Sequence, residues 1–96
     1  MSRRHYLVTY DVADDKRRDL VFRLLEDNGD HVQYSVFLCQ LNDVELERLK
    51  GRLRKVLNQR DDQAILLNLG PAGSELTQRL ECIGRGYTPA PRVTVF

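Results

Sequence analysis

The sequence predicts an α/β (α+β) sandwich, with two helices on one face of a mainly antiparallel sheet. Two observations predict it. Strand-like runs of β-branched and aromatic residues alternate with two segments whose apolar residues recur at helical spacing. Only ninety-six residues are available, which is one domain. A chain of this size buries roughly 60–65% of its unfolded surface, so burial against a second copy adds to a thin margin.

The first strand is His5-Tyr6-Leu7-Val8-Thr9-Tyr10, with no breaker. Leu7 and Val8 make both of its faces apolar, which suits a central position in the sheet. Asp11-Val12-Ala13-Asp14-Asp15 ends it, and Asp14 or Asp15 is placed to cap a helix by accepting from free backbone N–H groups. That helix runs to about Asp27 with Leu20, Val21, Leu24 and Leu25 as its apolar stripe. Asn28-Gly29 supplies a left-handed stop.

Val32, Tyr34, Val36 and Leu38 alternate with Gln33, Ser35, Phe37 and Cys39, the period of a strand. The stretch from Asp30 to Leu41 holds either one long strand or a very short strand hairpinned onto a longer one. Asn42 with Glu45 resembles a capping box and opens a second helix, whose buried stripe is Leu46, Leu49, Leu53, Val56 and Leu57. Asn58 to Gln63 reads as a polar turn, and Ala64 to Leu69 as the next strand, closed by Gly70-Pro71-Ala72-Gly73. Leu80-Glu81-Cys82-Ile83 is a shorter strand candidate. The domain is expected to span residues 1–84. Residues 85–96 follow as a Gly/Pro linker and a C-terminal strand, Arg92 to Phe96, that docks on the sheet edge of another chain.

Composition narrows the function classes. The chain is 42% hydrophobic and 30% charged, ordinary for a soluble domain, and no apolar run approaches the ~20 residues of a membrane span. The first strand follows Met1 so closely that no signal-peptide core fits, and a cytoplasmic location is expected. Cys39 and Cys82 read as two buried thiols of a reducing compartment. A zinc site from Cys39, Cys82, His5 and His31 lacks any ligand-type spacing. The net charge is only +1, so distribution matters more than the sum. Arg3, Arg4, Lys16, Arg17 and Arg18 form one basic group, and Arg48, Lys50, Arg52, Arg54 and Lys55 another. From charge alone each reads first as a solvated, salt-bridged helix surface, and second as a phosphate-binding face.

No Ser-His-Asp order, phosphate-cradling glycine loop or H-E-x-x-H is present. The one constellation that suggests chemistry is Tyr10-Asp11-Val12 followed by Asp14-Asp15. Asp11 stands at the C-terminal end of the first strand, where open α/β sheets place functional groups, although a turn or cap role suits it as well. Magnesium is typically held by one or two carboxylates plus substrate phosphates. Two copies of Asp11 facing each other across a two-fold axis would repel without a cation between them, and would hold one beside a phosphodiester.

Thr9-Tyr10-Asp11-Val12, then Asp14 to Arg18, a helix closed by Gly29, and Val32-Gln33-Tyr34-Ser35-Val36-Phe37 together resemble the signature of the CRISPR-associated adaptation nucleases. These are the small partners of the CRISPR integrase. The resemblance is strongest over Tyr6 to Leu57. It implies a ferredoxin-like fold, a homodimer, and Asp11 as the metal-binding acid for Mg²⁺ or Mn²⁺. It further implies metal-dependent endonuclease activity on RNA or double-stranded DNA, or an architectural role holding duplex DNA beside the integrase. Under it Asp11 and Arg18 are the catalytic pair. Lys16, Arg17, Arg18, Ser35 and Phe37 are the substrate-binding set, Phe37 being better suited to core or interface packing and Ser35 reading equally as an ordinary strand serine. His31 stands where many members carry arginine and offers less charge to a phosphate. Phe-Leu-Cys replaces a frequent Phe-Glu-Cys at Phe37-Leu38-Cys39, so that glutamate's carboxylate is missing.

Overall fold

A computed structural model describes residues 2–73 and 76–87. Four strands form one antiparallel sheet: β1 (Arg4–Asp11), β2 (Gly29–Gln33), β3 (Val36–Leu41) and β4 (Gln63–Pro71). Their spatial order is β2-β3-β1-β4, so β1 is central and β2 and β4 are the outer strands. Helices α1 (Asp15–Glu26) and α2 (Asp43–Val56) cover one face, and a short helix α3 (Leu76–Arg79) follows β4. This is the two-helix, mainly antiparallel α+β architecture expected, consistent with a ferredoxin-like fold.

The core lies between the helices and one face of the sheet. Tyr6, Val8 and Tyr10 of β1 alternate inward with Phe37, Cys39 and Leu41 of β3, against Val21 and Leu25 of α1 and Leu49 and Leu53 of α2. Strand alternation sends Leu7, Thr9 and Asp11 to the opposite face. Their cross-strand partners Leu38, Val36, Leu67 and Ile65 share that open face. Ile65 and Leu67 remain 52% and 53% exposed there. Part of the face is overhung by residues 80–87, leaving a groove of about 920 Å³ lined by Leu7, Thr9, Val36 and Ile83 among others.

Helix ends follow the sequence chemistry. Asp14 is the N-cap of α1 and accepts from the Arg17 N–H. Asn42 and Glu45 form the reciprocal capping box of α2. Arg3 and Arg4 tie the start of β1 to that helix through Glu45 and Asp43.

Several details depart from the sequence reading. Asp30 to Leu41 takes the hairpin alternative, but β2 is nearly as long as β3 rather than very short, with a turn at Tyr34-Ser35. Gly29 is not a left-handed stop, because α1 is capped by Asp27 in a right-handed conformation. Gly29 instead sits in β2, where a Cβ would collide with the Leu38 carbonyl oxygen and lie 2.5 Å from Cys39 Sγ. Leu20 is 51% exposed, so the α1 stripe is narrower than its four leucine and valine positions suggested. Leu80 to Ile83 is not a strand, and Cys82 is exposed while Cys39 is buried. The expected C-terminal strand at Arg92–Phe96 lies outside the described residues. No helix among the described residues is long and apolar enough to cross a membrane.

Candidate functional site

Asp11 closes β1 opposite Gln63 of β4, exposed, on the open face of the sheet. Only Val12, Ala13 and Asp14 separate it from α1. Val12 is buried and anchors this segment to the core.

One carboxylate fixes the rest of the segment. Asp62, at the end of the turn between α2 and β4, has no exposed side-chain surface. Its Oδ1 accepts from the Ala13 N–H at 3.0 Å and from Arg17 Nη2 at 3.2 Å. Its Oδ2 accepts from Arg17 Nε at 2.8 Å and from the Asn58 N–H at 2.8 Å. These donors, Arg17 first, hold the Asp62 carboxyl well below the usual carboxylate range, against the opposing effect of desolvation.

The Arg17 guanidinium is thereby committed to Asp62, and the charge a phosphate would use is already neutralised. The Arg17 side chain keeps 29% of its surface exposed. Arg18 is differently held. Its Nε and Nη2 donate to the Val12 carbonyl at 3.3 and 3.0 Å, and its Nη1 donates to Asp15 Oδ1 at 2.8 Å. The side chain keeps about a third of its surface exposed. Lys16 is exposed on the first turn of α1.

On the helix side of the sheet, Arg18 lines a surface groove of about 250 Å³ with Tyr10, Phe22, His31, Tyr34 and Ser35. Ser35 occupies the left-handed region with φ 65°, a conformation uncommon for a residue with a Cβ. Its carbonyl accepts from the Tyr10 N–H, and its side chain faces the Tyr10 hydroxyl. Burial pushes the pKa of that hydroxyl up, so it remains a donor at neutral pH. Phe37 is fully buried beneath the groove, its ring centroid 4.9 Å from His31, 5.5 Å from Phe22 and 6.4 Å from Tyr10. It packs and offers no surface to a ligand, which corrects its inclusion among the substrate contacts.

The residues singled out from the sequence therefore divide between two places. Arg18 and Ser35 share one groove, Asp11 stands alone on the opposite face, and Lys16 is on the adjoining helix surface. Among the described residues no three His, Cys, Asp or Glu side chains gather closely enough to hold a metal ion. Asp11 by itself is a single carboxylate, fewer protein ligands than a hard cation usually takes without substrate phosphates. Asp62 was missed in the sequence because it is one acid in a polar turn, 49 residues from Ala13.

A model of the CRISPR associated protein Cas2 family matches residues 4–74. The chain belongs to the Cas2 family. It is 46% identical over 57 residues to the CRISPR-associated endoribonuclease Cas2 2 of Thermodesulfovibrio yellowstonii, a stretch covering 59% of this chain and 63% of that protein. It is 37% identical to the CRISPR-associated endonuclease Cas2 2 of Thermus thermophilus, over 96% of this chain and 94% of that one. Among solved structures, Streptococcus pyogenes Cas2 superposes with a TM-score of 0.74 at 33% identity, covering 83% of this chain and 99% of that one. A chain of a partial Cas6-RT-Cas1–Cas2 complex superposes with a TM-score of 0.63 at 27% identity, covering 83% of this chain and 90% of that one. The resemblance noted over Tyr6 to Leu57 lies wholly within the family match.

Proposed function

We propose that this Cas2 chain is a divalent-cation-dependent phosphodiester endonuclease of CRISPR adaptation, working as a homodimer beside the integrase, with Asp11 from each copy holding the cation. The observation that carries this reading is the position of Asp11. It is an exposed acid at the end of the central strand, on a sheet face where Leu7, Val36, Leu38, Ile65 and Leu67 form an apolar surface. A second copy covering that face would remove apolar area from water and bring two Asp11 carboxylates together. Their mutual repulsion is relieved by a cation, and the cation site is incomplete without the second copy.

Bound Mg²⁺ or Mn²⁺ supplies Lewis-acid chemistry at a phosphodiester of RNA or double-stranded DNA. The chain's own residues do the rest. The Asp11 pair fixes where the cation sits, and Lys16 and the exposed part of Arg18, on the helix side of the sheet, neutralise phosphates away from the cation. Relatives are named endoribonucleases or endonucleases, which supports the nuclease reading, and the Cas1–Cas2 assembly among the structural neighbours supports the integrase partner. The test is cleavage of single-stranded RNA and duplex DNA with and without Mg²⁺, comparing wild type with Asp11→Ala prepared identically. Metal-dependent cleavage lost in the variant is expected. Equal cleavage by both proteins, or none by either, would refute the assignment.

A second reading has its own support. Arg48, Arg52 and Lys55 are exposed on α2 at spacings of four and three, which aligns them along one helical face. Such a stripe suits an architectural subunit that tracks duplex phosphates without cleaving them. Affinity for duplex DNA would then fall steeply with salt, and replacing all three with glutamine would flatten the slope by up to about 2–3 units. An unchanged slope would remove the stripe from the interface. Residues 92–96, expected from the sequence to dock on a partner subunit or the integrase, would belong to the same assembly. Undiminished association after their deletion would end that role.

A further inference from the structure

We propose that Asp62 is the positioning residue for both Asp11 and Arg18, acting through a single peptide unit. The proposal rests on the reading of Asp11 as half of a cation site, and names the residue that sets its geometry.

The unit is the peptide bond between Val12 and Ala13. Its C=O accepts two N–H groups of Arg18, and its N–H donates to Asp62 Oδ1. A peptide unit is rigid and planar, so its two polar groups turn together. Asp62 therefore sets the direction of the carbonyl that holds Arg18 in its groove. The same plane begins one residue after Asp11, so its tilt also sets how the end of β1 leaves the sheet. Asp11 and Arg18 lie on opposite sides of that sheet, yet both hang on one orientation.

Asp62 is anchored from its own turn as well as across the sheet. The Asn58 N–H ties it to the end of α2, and Gln63, the next residue, pairs with Asp11 across the sheet. Its two oxygens receive four donors, close to the full acceptor capacity of a carboxylate. Asparagine at this position has one acceptor oxygen and would turn an NH₂ group toward other donors. Arg17 is secondary in this arrangement. Its loss leaves the bonds from Ala13 and Asn58 in place.

The experiment compares full-length wild type, Asp62→Asn and Arg17→Leu, with thermal unfolding recorded for each. The readouts are Mn²⁺ binding by water-proton relaxation, amide exchange at Ala13 and the Arg18 Nε resonance. Loss of a group that orients a ligand typically costs 10–100-fold in metal affinity, so Asp62→Asn should weaken Mn²⁺ binding by at least about tenfold. It should also speed exchange at Ala13 and move the Arg18 resonance. Arg17→Leu should lower the unfolding temperature but leave Mn²⁺ binding within about threefold of wild type. If Asp62→Asn does not fold, Asp62→Glu keeps the charge but displaces both oxygens by one methylene, and must show the same separation. A folded Asp62 variant with wild-type Mn²⁺ affinity and an unmoved Arg18 resonance overturns the proposal. A wild type that binds no Mn²⁺ overturns the cation reading instead. The Ala13 and Arg18 readouts then decide alone whether Asp62 holds the peptide unit.

Discussion

Shortening Phe37 separates a packing ring from a contact ring. Phe37 exposes none of its surface and meets three other rings within 6.4 Å. Phe37→Ala removes the ring and leaves a cavity, a change that costs about 3–5 kcal/mol in protein cores. A domain of this size holds roughly 5–15 kcal/mol in total, so that variant sits near the edge of folding. Phe37→Leu is the sharper probe, because it keeps most of the apolar volume and loses the ring geometry. Each aromatic pair is worth about 0.5–1.5 kcal/mol, and three pairs sharing one ring do not add fully, so a loss of about 1–3 kcal/mol is expected. At about 4–8 °C per kcal/mol for a chain of this length, the unfolding temperature should fall by about 5–20 °C. Urea unfolding at fixed protein concentration should show a lower midpoint with an unchanged slope. Nucleic-acid affinity, measured well below the transition, should stay within about twofold of wild type, since the ring touches no ligand and 1.4 kcal/mol would be tenfold. Wild-type stability together with a tenfold loss of affinity would refute the packing argument.

Gly29→Ala should destabilise the fold by about 1–3 kcal/mol, because the new methyl meets the Leu38 backbone and Cys39 across the β2–β3 pair. A denaturation midpoint equal to wild type would show that β2 yields freely. The Asp62 carboxyl, depressed in the folded state, contributes stability that is fully present above the unfolded carboxylate value of about 3.9 and is lost as pH falls toward the lower folded value. The gap in unfolding temperature between wild type and Asp62→Asn should therefore be widest near neutrality and shrink below about pH 4. A gap that stays constant down to pH 2.5 would place the effect of Asp62 in shape rather than charge.

Where pattern alone sufficed, the sequence was a good guide. Strand alternation in β1 and β3, the Asn42–Glu45 capping box and the Asp14 cap all rest on neighbours within four residues, and all are present. The central position of β1 followed from its two apolar faces. The errors arise where a distant partner decides the outcome. Gly29 is small because β3 passes close by, not because a helix ends there. Leu20 looked apolar and buried, but α1 turns it outward. Arg17 was placed in a basic group whose salt-bridge partners the sequence did not name, and Asp62 is its partner in space because spacing alone could not pair them. Asp11 and Arg18 were grouped through the family resemblance, and in space the strand end between them sends them to opposite faces.

The bond from Ala13 to Asp62 spans 49 residues, and between those ends lie both long helices and the β2–β3 hairpin. Closing so long a loop is entropically unfavourable until the intervening elements have condensed. We expect the peptide unit that holds Arg18 to be set late in folding, when β4 takes its place beside β1. A partly folded chain would then carry Asp11 and Arg18 without a fixed arrangement of the two. Changes at Asp62 should accordingly speed unfolding while leaving the refolding rate almost untouched. That order of events would leave an incomplete chain without the arrangement of Asp11 and Arg18 that the folded chain has.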